Sequence, residues 1–84
     1  MATVQKITVP ANTATLIIIG DGRRVALQGG QFFIGGSNVD LDNGMFISGG
    51  REFIDLGNVA LGETIYAFSD SENFITVFYY TTIL

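Results

Sequence analysis

The residue types that most enzymes use for catalysis are missing from this chain. Histidine and cysteine are both absent from its 84 residues, which excludes Ser-His and Cys-His nucleophile pairs and metal sites built on imidazole or thiolate. The eight carboxylates are scattered over predicted turns and solvent faces, whereas a glycosidase holds two carboxylates a fixed distance apart in a cleft. The sequence therefore predicts a protein with no catalytic residue, no cofactor and no metal centre.

One oxygen-rich segment, residues 38–44, has the composition of a calcium-binding loop. An EF-hand loop that begins there needs a glycine at its sixth position and a glutamate at its twelfth, and this chain has Asn43 and Gly49 instead. A β-hairpin with solvent-facing Asp40 and Asp42 explains the segment better. Weak calcium binding by these two carboxylates and a neighbouring group in an assembly stays open.

Three tyrosines and one arginine pair are the remaining candidates for binding. Tyr66, Tyr79 and Tyr80 could stack on a sugar ring, but tyrosine at strand positions is more often a core or interface residue, because one end of its ring can stay wet. Arg23 and Arg24 could hold a small anion, although such a pair is more often a solvated strand start. The paired glycines are predicted to be corners, since no Gly-Lys-Ser/Thr sequence follows them.

Short runs of β-forming residues, separated by glycine-rich turns, determine the predicted fold. The candidate strands are residues 3–9, 13–19, 23–28, 31–34, 38–41, 45–47, 51–56, 64–68 and 74–84. Residues 42–44 are predicted to turn a hairpin between the fifth and sixth of these, and Phe53 together with either Ile54 or Leu56 is predicted to point inward. No segment has the period of a helix. We expect a single all-β domain over residues 1–84, a small antiparallel β-sandwich or jelly-roll-like barrel of about eight short strands.

Two of the predicted strands are apolar on both faces. In the last strand, alternation places Phe74, Phe78 and Tyr80 on the face opposite to Tyr79. Residues 16–19 are four consecutive aliphatic residues, so both faces of this strand are also expected to be buried. Only one face of each sheet in a sandwich meets the core of its own domain, so the other face is predicted to be a subunit interface. The predicted oligomer-interface residues are Phe74, Phe78, Tyr79, Tyr80, Ile83 and Leu84.

Composition limits the partners that such a surface can have. The net charge of −4 argues against a surface that neutralises phosphates, so nucleic acid is not an expected partner. The first residues lack the basic start and apolar run of a signal peptide, and no stretch has the about 20 apolar residues of a membrane helix. Hydrophobic residues make up 48% of the chain and charged residues 14%. A small body of this composition is expected to associate with copies of itself.

The order of motifs over residues 25–84 is similar to that of a known family. The motifs are Ile34-Gly35-Gly36-Ser37-Asn38-Val39, Asn43-Gly44, Ile47, Gly49-Gly50, Phe53-Ile54-Asp55-Leu56-Gly57 and Ile65-Tyr66-Ala67-Phe68. In this order the chain resembles small virion-associated proteins of tailed bacteriophages. The aromatic end of the last strand departs from that pattern, and the first 24 residues contribute only generic strands.

The resemblance implies a β-sandwich on or within a phage particle, as a capsid decoration (cement) protein or a head or tail accessory. It implies no catalytic residues and favours a trimer, since trimers are common among cement proteins. The expected partners are copies of the chain and the major capsid protein or another virion protein, held through the N-terminal segment or the loop tips. The expected location is the virion, after synthesis in the host cytoplasm.

Two alternatives stay open. The first is a carbohydrate- or receptor-binding module of a phage tail or head fibre, which would use the tyrosines together with nearby acids. The second is a small enzyme, for which no active site can be assembled from these residues.

Overall fold

The computed structural model describes residues 3–48 and 53–80. They form eight strands: β1 (Thr3–Val9), β2 (Thr15–Ile19), β3 (Arg24–Gln28), β4 (Gln31–Gly35), β5 (Met45–Ser48), β6 (Ile54–Asn58), β7 (Thr64–Phe68) and β8 (Asn73–Tyr79). The all-β prediction is confirmed. No helix long and apolar enough to span a membrane occurs in this part of the chain.

The strands form two four-stranded antiparallel sheets. The first sheet has the order β1-β8-β3-β6 and the second sheet the order β2-β7-β4-β5. The chain folds like a long ribbon doubled back between β4 and β5, so that β4 pairs with β5, β3 with β6, β2 with β7 and β1 with β8. Further pairing of β3 with β8 and of β4 with β7 completes the sheets. This connectivity is that of a jelly roll, one of the two predicted forms.

A single layer of apolar side chains fills the space between the sheets. The side chains buried in this layer are Val9, Ile17, Ile18, Val25, Leu27, Phe32, Ile34, Ile47, Val59, Ala67, Ile75, Val77 and Tyr79. Along β8, burial alternates with every second residue, as expected for a strand with one face on the core. Most members are branched aliphatic residues, which suit the pleated inner faces of a sandwich.

A β-bulge determines how β2 accommodates its four consecutive aliphatic residues. The register with β7 shifts between Leu16 and Ile18, and Ile17 and Ile18 are both buried. Bulges place two residues of one strand opposite one residue of the partner, which allows neighbouring side chains to share a face. Leu16 and Ile19 stay 38% and 59% exposed. The chain therefore buries only some of the apolar side chains on the two faces of β2.

The predicted strand at residues 38–41 is absent, and the hairpin prediction is wrong about its partner. Strand β5 pairs with β4 instead, and the intervening loop contains only an isolated bridge between Asp40 and Asn43. Val39 is buried and packs so closely on Gly44 that a Cβ there would lie 2.6 Å from its Cγ2 atom. The valine closes the end of the core, so its segment folds over β4 and β5 rather than extending between them.

Leu27→Ala tests the core layer. Leu27 is fully buried, so the truncation should lower the free energy of unfolding by about 2–5 kcal/mol, through lost burial and the cavity left behind. Urea denaturation should show a lower midpoint with an unchanged slope. Leu61→Ala is the matched control, because Leu61 is 84% exposed and its truncation should change the midpoint little. Equal effects of the two variants would contradict the assignment of the core.

Candidate interaction surface

Strand β8 separates the predicted interface residues into two groups. Phe74, Phe78 and Tyr80 lie on the outer face of the first sheet, on the opposite side from the buried Ile75 and Val77. Tyr79 is wrong as an interface residue, because it is only 7% exposed and belongs to the core. Ile83 and Leu84, the other two predicted members, lie outside the described residues.

The outer face of the first sheet carries a cluster of aromatic rings. We call it the aromatic patch and define it as Phe53, Phe74, Phe78 and Tyr80. The rings of Phe78 and Tyr80 meet edge to face with centroids 5.0 Å apart, and the ring of Phe53 lies 6.4 Å from Phe78 in a similar orientation. Phe53, Phe78 and Tyr80 line a shallow cleft of about 200 Å³. Edge-to-face pairs are favoured by the ring quadrupoles, so the cleft has ordered walls.

Phe53 is the member of the patch that sequence analysis missed. It was predicted to point inward, but its side chain is 62% exposed, while Ile54 packs against the core from a half-buried position. Ile54 and Leu56 both pack against the core. Because side-chain direction alternates along an extended chain, these two inward positions place Phe53 on the outer face. The inward prediction for Phe53 is therefore wrong.

Cationic side chains lie over two rings of the aromatic patch. The Lys6 ammonium is 4.9 Å from the ring centroid of Phe74, and the Arg24 guanidinium is 4.6 Å from that of Tyr80. Both residues face the patch because β1 and β3 flank β8 on either side. Cation–π contacts at exposed sites contribute about 0.5–1 kcal/mol each. The patch therefore combines apolar area with positive charge.

Arg24 is held over the patch by an ion pair with Asp55. The Arg24 Nε atom donates a hydrogen bond of 2.9 Å to Asp55 Oδ2, and its Nη2 atom contacts the same oxygen. The hydrogen bond from Arg24, and then that from the backbone N–H of Gly57, lower the pKa of Asp55 below its usual range. The same pair raises the pKa of Arg24. Both side chains stay about half exposed, so the pair orients the guanidinium more than it stabilises the fold.

The second sheet carries a separate apolar surface on its outer face. Phe33 lies opposite both Phe68 and Phe46 in the ladders of β4, and its ring is 5.0 Å from that of Phe46. Leu16 and Tyr66 lie opposite each other in the neighbouring pair of strands. We call these five residues the neutral face. No charged residue occurs in β2, β4, β5 or β7.

The sequence contains a signal for the neutral face, but this signal cannot be recognised in any one strand taken alone. Each of its four strands is an uncharged run of four or five residues, and uncharged strands are common in any sandwich. The four strands indicate an uncharged sheet face only because the topology places all of them in one sheet. The charged strand residues, Lys6, Arg24 and Asp55, all belong to the other sheet.

The remaining candidate residues do not come together into a binding site. Arg23 donates a hydrogen bond of 2.8 Å to Asp21, and its guanidinium stacks 4.8 Å from the ring of Tyr79, so it is engaged within the chain. The carboxylate of Asp40 accepts a hydrogen bond from the backbone N–H of Asp42, as in a capped turn. Across the described residues, no three acidic side chains form a group that could hold a metal ion. Tyr66 lies on the second sheet, away from Tyr80 on the first.

The Arg24–Asp55 pair gives an expected pH dependence. Because the pKa of Asp55 is lower in the folded chain, its contribution to stability is present above the unfolded pKa of about 4. That contribution is lost as the pH falls through the folded-state pKa. Asp55→Asn should remove it, so urea midpoints measured from neutral pH to below about pH 4 should fall less steeply than those of the wild type.

Asp70→Asn is the control for this comparison. It removes an exposed carboxylate from the turn before β8 and leaves the Arg24–Asp55 pair intact. A pH profile of Asp55→Asn that matched the wild-type profile would show that the pair does not contribute.

Comparison with known proteins does not identify a family for this chain. No protein-family model, no curated protein and no solved structure matches it.

Proposed function

We propose that this chain is a non-enzymatic structural protein of a phage virion, a capsid decoration protein that associates with copies of itself and stabilises the head by binding between capsid subunits. The observation that supports this proposal most is the presence of apolar surface on both outer faces of one small sandwich, in the aromatic patch and the neutral face. Large exposed apolar patches mark interaction sites in soluble proteins.

The fold is compatible with such a role. Eight-stranded jelly rolls occur in viral capsid proteins and in lectins, although a fold alone does not determine function. A protein bound between capsid subunits acts by burying surface on several neighbours at once, so that modest contacts combine by multivalency. Two apolar faces on opposite sides of one domain suit this mode of binding, because each face can hold a different neighbour.

The first test is the mass of the purified chain by light scattering over a dilution series. The proposal expects a stable oligomer, and the resemblance to virion proteins favours a trimer. Heads of the encoding phage that lack the protein should bind it and then resist heat or dilution better than bare heads. A chain that does not bind such heads, whether or not it associates with itself, would refute the proposal.

A second candidate function is carbohydrate binding at the aromatic patch. The cleft lined by Phe53, Phe78 and Tyr80 lies beside the charged groups of Arg24 and Asp55, and sugar sites combine an aromatic wall with polar side chains. The ring of Tyr80 already has the Arg24 guanidinium over one side, which leaves less of it for a sugar.

A glycan array decides between the two functions. Specific binding that is lost in Tyr80→Ala and kept in Tyr66→Ala would favour the carbohydrate-binding module, since Tyr66 lies on the other sheet. No binding to any glycan is the result expected of a decoration protein.

A further inference from the structure

We propose that the neutral face is the surface through which the chain binds a second copy of itself, and that the aromatic patch is left for a different partner. This inference rests on the self-association in the proposed function and assigns that association to one sheet. It moves the self-contact from β8, where the sequence placed it, to the outer face of β2, β4, β5 and β7.

Charge decides which face suits a second copy. If two aromatic patches met, each copy would have to desolvate the Lys6 ammonium and the Arg24–Asp55 ion pair, and desolvating charged groups costs free energy unless they find new partners. The described strands of the first sheet carry these two cations against the single carboxylate of Asp55. The neutral face has no charge to desolvate. A second copy can therefore meet the neutral face across a two-fold axis, or at another relative rotation, without repulsion between like charges.

The composition of the neutral face is that of a permanent contact. Obligate interfaces between copies are more apolar than transient ones, and their centres are depleted of charged residues and enriched in aromatic ones. Phe33, Phe46, Tyr66, Phe68 and Leu16 meet that description. An apolar sheet face that stayed bare until a virion assembled would be prone to aggregate. A second copy is the partner present as soon as the chain is made.

The broad side of the molecule is large enough for a stable contact. The molecule measures 39 × 25 × 17 Å, so its broad side has a footprint of roughly 1,000 Å², the product of the two longer dimensions. A stable interface of standard size buries about 800 Å² per partner. A contact that has the neutral face at its centre and covers most of this side therefore reaches the size that a lasting association needs.

Two phenylalanines of equal exposure provide the test. Phe46 on the neutral face is 51% exposed and Phe74 in the aromatic patch is 50% exposed. Phe46→Ser should weaken self-association by about tenfold or more, as the loss of a buried aromatic anchor does. Light scattering over a dilution series should show the shift toward monomer. Phe74→Ser should leave the mass unchanged.

A matched pair of threonine substitutions guards against a folding defect in these variants. Thr64 and Thr8 are exposed strand residues on the outer faces of the second and the first sheet. Thr64→Lys places a charge beside the neutral face without removing a packed ring, and it should dissociate the oligomer while the circular dichroism spectrum shows that the chain stays folded. Its urea midpoint should fall only by the stabilisation that association gave the wild type. Thr8→Lys should leave the mass, the spectrum and the midpoint unchanged. If Thr8→Lys or Phe74→Ser dissociates the oligomer and the neutral-face variants do not, the inference is overturned.

Binding to phage heads separates failure of this inference from failure of the proposed function. Heads that lack the protein should bind the Thr64→Lys monomer more weakly than the wild type, because multivalency is lost, and should bind Phe74→Ser least. Head binding with a wild type that is monomeric at every concentration would overturn the neutral-face inference and keep the virion role. An oligomer that depends on the neutral face, with no binding to heads, would keep the inference and refute the virion role.

Discussion

The burial of one layer of aliphatic side chains between the two sheets is the interaction on which the rest of this structure depends. A chain of 84 residues has no cysteine to supply disulfides, and a domain of this size buries a smaller share of its surface than a larger one. The sandwich fills its single core layer and leaves further aromatic residues outside. Those outer residues lie outside the core layer, so a role for their apolar area has to be sought in contacts with other chains.

The sequence was sufficient to predict the eight strands that form and which side chains of β8 share a face. Alternation is a local property of an extended chain, so Phe74, Phe78 and Tyr80 could be placed on one face without knowledge of the neighbours. The same rule placed Tyr79 on the opposite face of β8. Tyr79 is buried there, so its side chain is not available to a partner. Strands β1 and β7 also match their predicted ranges, because proline, glycine and polar residues mark their ends.

The errors arose where a long-range pairing overrides the local pattern. Residues 42–44 have the composition of a tight turn, yet the partner of β5 is β4, and Val39 is drawn into the core between them. Phe53 faces outward because Ile54 and Leu56 take the inward positions. Bulges and partner choice depend on how the sheets close around the core, and no short window of sequence contains that information.

The two outer faces differ in a way that follows from the topology of the ribbon. Folding the chain back on itself places β2, β4, β5 and β7 in one sheet, and none of these four strands carries a charged residue. The other sheet receives Lys6 and Arg24, whose charges lie over aromatic rings. An apolar face that also carries charge can remain in water until a partner arrives, because its polar groups keep it hydrated. A face without charge has no such protection, and for that reason a second copy of the chain is the partner proposed for it.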